Sequence, residues 1–298
     1  MSHSGEFLSG FVSIVGRPNV GKSTLLNHFV GEKISIISKK PQTTRNKITG
    51  VLTGDGYQIV FIDTPGIHAP KTKLGSFMVK SAQSSFYGAD AVVFMVEPRA
   101  RIAEEDAAIM ESLRRLKCPV FLAVNKADAA RKPELLEVIA AYSARFDFAE
   151  IVPMSALTGE NSGALLSALR GALPKGPMYF PEDQITDQPE RQIAAEIIRE
   201  KALIYLQEEI PHGLAVEITA MKQKGGLTEV GATIFCERES HKRIVIGAKG
   251  CALKKIGTSA RHDIERMVGN KVYLDLWVKV KKNWRDSDFM LRNFGYKS

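Results

Sequence analysis

The sequence is poor in cysteine and has no long apolar run. Its three cysteines, Cys118, Cys236 and Cys251, are dispersed and include no Cys-x-x-Cys pair. An odd number of dispersed cysteines argues against a disulfide framework or a zinc site and predicts reduced, mostly structural thiols. No apolar run approaches the roughly 18 residues that span a bilayer, so we expect no integral membrane protein. The first ten residues lack a basic region followed by an apolar stretch, so we expect no export and a cytoplasmic location.

Positive charge is concentrated toward the C-terminus. The chain has 41 Lys and Arg against 33 Asp and Glu, a formal net charge of +8. Residues 240–285 carry 12 basic and 3 acidic side chains, whereas residues 181–239 carry 6 and 12. Clustered positive charge favours binding of a polyanion, although a run of lysines is more often only a solvated face. The charge therefore indicates nucleic acid only if a binding motif accompanies it.

Apolar runs and helical patterns alternate through the first 175 residues. The runs that predict buried strands are Phe11–Val15, Ile59–Ile62, Ala91–Val96, Val120–Val124 and Ile151–Met154. Helical spacing between them predicts helices at Ser23–Val30, Ser76–Phe86, Glu104–Leu116, Pro133–Phe146 and Gly159–Ala172. This alternation predicts an α/β domain with a mostly parallel sheet covered on both faces, whose ligands bind at the carboxyl ends of the strands.

A proline-rich stretch divides the chain. Residues 176–189 carry prolines and acids without apolar periodicity, which predicts an exposed linker between a first domain (1–175) and a second domain with a C-terminal tail (190–298). The second domain is predicted to contain, in order, a helix at Arg191–Glu209, strands at Ala215–Lys222 and Glu229–Glu237, a glycine loop, a helix at Ala252–Val268 and a strand at Lys271–Val280. This is a smaller α+β unit.

A complete P-loop pattern lies between the first predicted strand and helix. The residues expected to bind nucleotide there are Gly16, Arg17, Pro18, Asn19, Val20, Gly21, Lys22, Ser23 and Thr24. The glycines let backbone N–H groups face phosphate oxygens, and the helix N-terminus adds positive potential. Lys22 should neutralise the β- and γ-phosphates, and the Ser23 hydroxyl should bind Mg²⁺.

A second motif, Asp63-Thr64-Pro65-Gly66, follows the next apolar strand. Its carboxylate should point toward the metal, and Gly66 should let a backbone amide approach the γ-phosphate. Alone, these four residues could form an ordinary turn. Their position after the P-loop strand and helix indicates the motif that is counted as the third in GTPases.

A third motif selects the base. In Asn125-Lys126-Ala127-Asp128, the Asp128 carboxylate can accept hydrogen bonds from two guanine N–H groups that adenine lacks, so the sequence predicts GTP and GDP as ligands. Lys126 should lie along the base, and Asn125 should tie this loop to the P-loop. Ser155-Ala156 follows the last predicted strand and fits a fifth motif, whose backbone amide reads guanine O6.

A glycine loop in the second domain resembles the signature of KH domains, which clamp single-stranded RNA. The residues expected to contact RNA are Ile246, Gly247, Ala248, Lys249, Gly250, Lys254, Lys255 and Lys282. A lone Gly-x-x-Gly is usually a turn, but here the basic segment agrees with it. The element order suggests a type II KH arrangement. Residues 240–246 are predicted as a strand by propensity, whereas the KH resemblance predicts a short helix.

Further residues could extend an RNA track through charge and stacking. Lys279, Lys281 and Arg285 are interleaved with Trp277 and Trp284. Trp277 could equally belong to the core.

Taken together, the motifs resemble the Era family of bacterial GTPases over essentially the whole chain. The resemblance implies that Thr44 of Pro41-Gln42-Thr43-Thr44-Arg45 is the metal-binding switch threonine, with Thr43 as the alternative. It also implies a K⁺ ion at Asn19 in the manner of some family members. Lys22, Thr44, Gly66 and Asn19 are then the residues expected to act on the transferred phosphoryl group.

The resemblance also implies a task. It predicts binding to the 3′ end of small-subunit ribosomal RNA, assistance in maturation of the small ribosomal subunit, peripheral association with the inner membrane, and a monomer. Ile67 occupies the position where signalling GTPases have a glutamine that orients water, which predicts slow unaided hydrolysis.

Two alternatives remain open from the residues. The KH-like unit could dock a protein while the GTPase regulates a protein or membrane partner. The protein could instead modify RNA enzymatically, for which Cys251 beside the glycine loop is the conceivable reactive group.

Overall fold

The structure is a computed structural model. It describes residues 6–38, 40, 43–66, 72–86, 88–99, 101–206 and 213–296. The chain forms two compact units. The first comprises Met1–Ser35, Thr44–Ala69 and Met78–Asp187, and the second comprises Ile36–Thr43, Pro70–Phe77 and Gln188–Ser298.

The first unit is built on a six-stranded sheet. Its strands are β1 (Leu8–Val15), β2 (Ile48–Gly54), β3 (Tyr57–Asp63), β4 (Ala91–Val96), β5 (Val120–Val124) and β6 (Glu150–Pro153). Their order is β2-β3-β1-β4-β5-β6, and all neighbours are parallel except β2 and β3. The predicted mostly parallel sheet is confirmed, with an antiparallel edge strand, β2, that the sequence patterns did not indicate.

Helices cover both faces of this sheet. They are α1 (Lys22–Val30), α2 (Lys73–Ser84, whose first turn belongs to the second unit), α3 (Glu104–Leu113), α4 (Lys132–Ser143) and α5 (Ser162–Gly171). Strand β4 is buried at every position. Val93 and Met95 pack into one core cluster, and Val92 and Phe94 pack into the other. Because both faces of the strand are covered by helices, its apolar run is unbroken.

The predicted linker is hydrogen-bonded to the first unit over much of its length. Gly176 N donates to Phe7 O at 3.0 Å, and Val51 N donates to Ile185 O at 2.8 Å. The Gln58 side chain accepts from the backbone N–H groups of Tyr179 and Phe180. Composition alone gave no sign of these contacts, because they use backbone groups that any sequence supplies.

The second unit is a three-stranded sheet with three of its helices packed on one face. Its elements are α6 (Glu190–Tyr205), β7 (Ala215–Lys224), β8 (Leu227–Cys236), α7 (Glu239–Ile246), α8 (Cys251–Val268), β9 (Lys271–Val280) and α9 (Asp288–Asn293). The strand order is β7-β8-β9, antiparallel then parallel. Ile197 of α6, Ile256 and Ile264 of α8 and Val278 of β9 share its core. No helix in the described part of the chain is long and apolar enough to cross a membrane.

The segment at residues 240–246 lies in a helix, so the expectation from the KH resemblance is confirmed and the strand expectation is wrong. Its β-branched residues favour a strand locally, but Val245 is fully buried in the core shared with α8 and β9. Tertiary packing therefore overrides propensity here.

Helix α6 is hydrogen-bonded to Ile37 and Thr43 within the second unit. Ile37 N donates to Glu200 Oε1 at 2.8 Å, and the buried Arg199 guanidinium donates to Thr43 O. Arg199 is also paired with Glu196 one turn earlier. These bonds fix Thr43, the residue before Thr44, to α6.

Candidate nucleotide site and nucleic-acid groove

The P-loop wraps tightly between β1 and α1. Gly21 has a φ of 110°, and a Cβ there would lie 2.2 Å from the Asn125 side-chain nitrogen. Only glycine fits this conformation and this approach. Helix α1 begins at Lys22, with Ser23 and Thr24 in its first turn, so the free backbone N–H groups of that turn face the loop.

Lys22 is held inside this loop. Its ammonium donates to Gly16 O at 3.0 Å and to Arg17 O at 2.8 Å, and the residue is only 6% exposed. Burial lowers the pKa of Lys22 to about 8, although the negative charge of Asp63 partly opposes this. A phosphate group beside the ammonium would favour its charged form.

A cluster of hydroxyls surrounds Asp63. Ser23 Oγ lies 2.6 Å from Asp63 Oδ2 and 2.9 Å from Thr44 Oγ1, and Ser35 Oγ donates to the same carboxylate oxygen at 3.1 Å. Among the described residues, Asp63 Oδ1 is buried without a hydrogen-bond partner. Burial raises the pKa of Asp63, and Lys22 partly opposes this. Oxygen donors with an unsatisfied buried carboxylate oxygen fit the ligand preferences of Mg²⁺.

The geometry distinguishes the two candidate threonines. Thr44 faces Ser23, whereas the Thr43 hydroxyl donates to Lys40 O at 2.6 Å. Ser35 was not singled out from the sequence, since a lone serine outside any motif carries no signal. Pro41, Gln42 and Ile67 lie outside the described residues.

The Asp63-Thr64-Pro65-Gly66 motif packs directly against the P-loop. The Thr64 hydroxyl donates to Ile14 O at 2.9 Å. A Cβ at Gly66 would lie 2.7 Å from the backbone N of Pro18, so the close approach of these two chain segments requires glycine.

Asn125 joins three parts of the site. Its amide nitrogen donates to Val20 O at 2.7 Å, and its Oδ1 accepts from Ala156 N at 2.8 Å. The expected tie to the P-loop is thus present, with Ser155-Ala156 joined to it. Lys126 donates to Asn19 O at 3.1 Å. Asp128 is exposed in a short 3₁₀ turn, Ala127–Ala129, beside this loop.

Acidic side chains that no motif marked hold the basic residues of the site. Asp106 of α3, fully buried, accepts from Arg17 Nε at 2.9 Å and from the Tyr142 hydroxyl at 3.0 Å. Burial raises the pKa of Asp106, and Arg17 partly offsets this effect. Glu97 at the end of β4 pairs with Lys126. The sequence did carry one signal for Asp106, since it is an acidic residue on the otherwise apolar, buried side of α3.

A groove of about 380 Å³ lies between α8 and β9 in the second unit. It is lined by Gly250, Leu253, Lys254, Gly257, Thr258, Arg261, Leu274 and Leu276. The helix contributes residues one turn apart, and the glycine loop forms one end. The groove thus offers an aliphatic floor with basic side chains, which suits bases and a phosphate backbone.

The predicted RNA contacts fall in four places. Gly250 and Lys254 line the groove, and Ala248 and Lys249 are exposed on the loop. Ile246 packs against the core. The remaining two lysines, Lys255 and Lys282, are exposed and are not among the residues that line the groove.

The two tryptophans have opposite environments. Trp284 is fully buried and donates from Nε1 to Gly213 O at 2.9 Å, so the expectation that it stacks on RNA is wrong. The basic context suggested a surface position, but the indole is used as a core side chain with one polar partner. Trp277 is 62% exposed, which excludes the core alternative. Arg285 pairs with Glu237 at 2.6 Å.

The fold and the sites define a P-loop GTPase domain followed by a KH domain. A family model described as 50S ribosome-binding GTPase matches residues 11–126, and a KH domain model matches residues 209–285. The chain is 53% identical over 290 residues to GTPase Era of Clostridium kluyveri (97% of this chain, 99% of the relative). It is 55% identical over 293 residues to GTPase Era of Clostridioides difficile strain 630 (97% and 99%).

Solved structures agree. A crystal structure of Era in complex with MgGDPNP and nucleotides 1506–1542 of 16S ribosomal RNA is 42% identical, with a TM-score of 0.94, covering 98% of this chain and 100% of that chain. An Aquifex aeolicus Era variant bound to GDP and AlF4⁻ has the same identity, TM-score and coverage. The chain belongs to the GTPase Era family and is a GTP-hydrolysing enzyme with a KH domain. The resemblance and the fold class predicted from the sequence are confirmed.

Proposed function

We propose that this protein is a GTP-controlled switch that binds the 3′ end of small-subunit ribosomal RNA and assists maturation of the small ribosomal subunit. The observation that carries the proposal is the glycine loop at one end of the basic groove between α8 and β9. A related Era structure, similar over the whole chain, is a complex with nucleotides 1506–1542 of 16S ribosomal RNA. We infer that the groove of this chain binds single-stranded RNA.

The phosphates are held by the P-loop. Lys22 and the amides at the start of α1 bind the β- and γ-phosphates, and the Gly66 amide approaches the γ-phosphate. Ser23, Thr44 and Asp63 would hold Mg²⁺, which supplies positive charge to the phosphate oxygens as the bond breaks. The preformed contacts of Ser23 with Thr44 and Asp63 support this set.

Guanine is recognised by the loops after β5 and β6. The Asp128 carboxylate accepts from the N1–H and N2–H₂ groups of the base, and Lys126 lies along it. The Ala156 N–H is engaged by Asn125 Oδ1 and is therefore not assigned to guanine O6. Asn125 acts by positioning, since it fixes both loops to the P-loop.

Hydrolysis without an activator should be slow, because the side chain of Ile67 cannot orient water. The exposed Asn19 in the P-loop is the proposed K⁺ ligand, which would add positive charge at the transferred phosphoryl group. Turnover measured in matched KCl and NaCl buffers tests this. We expect faster hydrolysis in KCl, and equal rates would contradict a K⁺ site.

RNA binding is tested by anisotropy of a labelled RNA with the sequence of 16S nucleotides 1506–1542. In the double variant Ala248→Asp, Lys249→Asp, affinity should fall at least about 100-fold, because like charge then faces the phosphates. GTP affinity should stay unchanged. The matched control is the double variant Lys132→Asp, Leu136→Asp. Both residues are exposed on α4, and the two substitutions change the net charge by the same amount.

If both double variants bind this RNA as the unaltered protein does, the groove is not the RNA site. Loss of RNA binding in both would mean that overall charge, rather than the loop, is responsible. A protein-docking role predicts unaltered RNA binding, and an RNA-modifying role predicts that Cys251→Ser abolishes function.

The family resemblance further supports a cytoplasmic monomer that associates peripherally with the inner membrane. The basic segment 240–285 supplies charge that anionic lipids would attract. Flotation with anionic and neutral vesicles, and light scattering for the mass, test these two proposals. Equal flotation with both vesicle types would contradict the electrostatic basis.

A further inference from the structure

The sheet of the second unit has a face opposite to α6, α7 and α8 that carries exposed aromatic side chains. On β9, Tyr273 and Trp277 are each 62% exposed. They are four residues apart on one strand and therefore on the same face, about 13 Å from each other. We call the surface formed by Tyr273, Asp275 and Trp277, with Lys271 and Lys279 at its ends, the aromatic face.

The aromatic face lies on the other side of the strand that lines the groove. Leu274 and Leu276 of β9 line the groove, and alternate residues of a strand point to opposite faces. Strand β9 is at an edge of its sheet, since the order is β7-β8-β9. A chain leaving the groove can therefore pass around the free edge of β9 and reach the aromatic face.

Both ends of the aromatic face carry a lysine that can meet the phosphates of a polyanion. Asp275 accepts from the Trp277 indole at 2.8 Å, and Glu229, the neighbour of Tyr273 on β8, is paired with Lys224 at 2.9 Å. Glu229 is thus paired with a cation, whereas Asp275 keeps its charge because the indole is neutral, and Glu217 is exposed on the same face across Thr233 from Trp277. Lys271 and Lys279 are exposed at either end.

The aromatic face is less suited to a protein. Beside Asp275 and Trp277, β8 contributes Gly231 and Thr233, so large apolar side chains do not surround the rings. Farther along, Phe235 packs against Phe294 at a ring distance of 5.0 Å, so the C-terminal segment covers that end. Two flat rings flanked by lysines are what base stacking requires, whereas a protein interface needs a contiguous apolar centre.

We propose that Tyr273 and Trp277 form a second RNA-contacting surface, on which bases of a single strand stack after the strand passes around β9. The proposal rests on the RNA-binding function proposed above and extends the path of the RNA beyond the groove. Stacking is tolerant of sequence because every base has an aromatic plane. The groove would supply selectivity, and the aromatic face would add affinity for longer strands.

Intrinsic fluorescence tests this directly. The chain has two tryptophans, and Trp284 is fully buried, so quenching by acrylamide reports on Trp277. A single-stranded RNA of about four nucleotides, the length that a KH loop clamps, should leave Trp277 accessible. The RNA with the sequence of 16S nucleotides 1506–1542 should quench its emission and protect it from acrylamide.

Affinity gives the second measurement, by anisotropy of labelled RNA. Tyr273→Ala and Trp277→Ala should each weaken binding of the long RNA about tenfold, or about 1.4 kcal/mol, and leave the four-nucleotide RNA unaffected. Phe289→Ala is the matched control, since Phe289 is an aromatic residue of the same unit with 71% exposure. It should change neither affinity.

The outcomes separate this inference from the proposed function. In one outcome, binding of the long RNA depends on Ala248 and Lys249, but Trp277 stays accessible and both alanine variants bind normally. The aromatic face is then not an RNA surface, and the groove proposal stands. If no RNA binds, both proposals fail. Equal protection of Trp277 by a fully paired RNA hairpin would also overturn stacking of single-stranded bases.

Discussion

The close approach of Gly21 to Asn125 leads to a quantitative prediction. Asn125 is 3% exposed and bridges Val20 O and Ala156 N. A methyl group at Gly21 would occupy the position of its amide nitrogen, at 2.2 Å. We therefore expect Gly21→Ala to destabilise the first unit mainly by displacing Asn125, and only partly through its own backbone conformation.

The magnitude follows from two contributions. An alanine held at the φ of 110° costs on the order of 1–3 kcal/mol. Displacement of Asn125 leaves a buried C=O and a buried N–H unpaired, each worth about 1–3 kcal/mol. Asn125→Ala loses the same two hydrogen bonds without the backbone strain. The double variant loses them only once, so its destabilisation should fall short of the sum of the single variants by at least about 2 kcal/mol.

A double-mutant cycle on nucleotide-free protein measures this coupling. Urea unfolding should be followed by far-ultraviolet circular dichroism, because both tryptophans lie in the second unit and their fluorescence reports on that unit. Gly31→Ala is the control for backbone strain, since Gly31 has a φ of 80° and open space around its Cβ position. If the effects of Gly21→Ala and Asn125→Ala add within about 0.5 kcal/mol, the argument from close approach is wrong.

Four further predictions concern other parts of the molecule. Thr44→Ala should slow Mg²⁺-dependent phosphate release at least about tenfold and Thr43→Ala less than about threefold, because only the first hydroxyl faces Ser23. Asp128→Asn should weaken GTP binding at least about 100-fold in calorimetry and improve binding of xanthosine triphosphate, whose base presents an acceptor to the new amide. Burial raises the pKa of Glu97, but the hydrogen bond from Lys126 and the positive charges of Lys126, Arg99 and Arg17 together outweigh burial and lower this pKa below its usual value of 4.5. The ionised Glu97 therefore stabilises the fold by less than about 1 kcal/mol above pH 4.5, and this contribution is lost as the pH falls. In Glu97→Gln, the free energy of unfolding should depend less on pH below 4.5. Trp284→Ala should destabilise the second unit by about 3–5 kcal/mol in urea unfolding, and a loss below about 1 kcal/mol would contradict its role in the core.

The nucleotide site was predictable because short stretches of sequence determine its geometry. A P-loop needs glycines and a lysine at fixed spacing, and the order strand, loop, helix places them at the carboxyl end of β1. The buried strands were equally clear, since runs such as Val120–Val124 must be apolar on both faces. In both cases neighbours along the chain determine the outcome.

What the sequence did not reveal depends on partners distant along the chain. Strand β2 has a mixed burial pattern and exists through its antiparallel pairing with β3. Asp106 meets Arg17 across 89 residues, and Ser35 meets Asp63 across 28. The buried indole of Trp284 donates to the backbone carbonyl of Gly213 across 71 residues. None of these pairings has a local pattern.

The two sites use similar loops with lysines in opposite environments. Lys22 is buried and hydrogen-bonded to two carbonyls of its own loop, so its ammonium is already in position when a nucleotide arrives. Lys249 stands exposed at the tip of the glycine loop. A buried cation is screened little by salt, whereas contacts of exposed lysines with a polymer release counterions and weaken steeply as salt rises. Raising salt should therefore release RNA while leaving the nucleotide bound, because burial separates the electrostatics of the two loops.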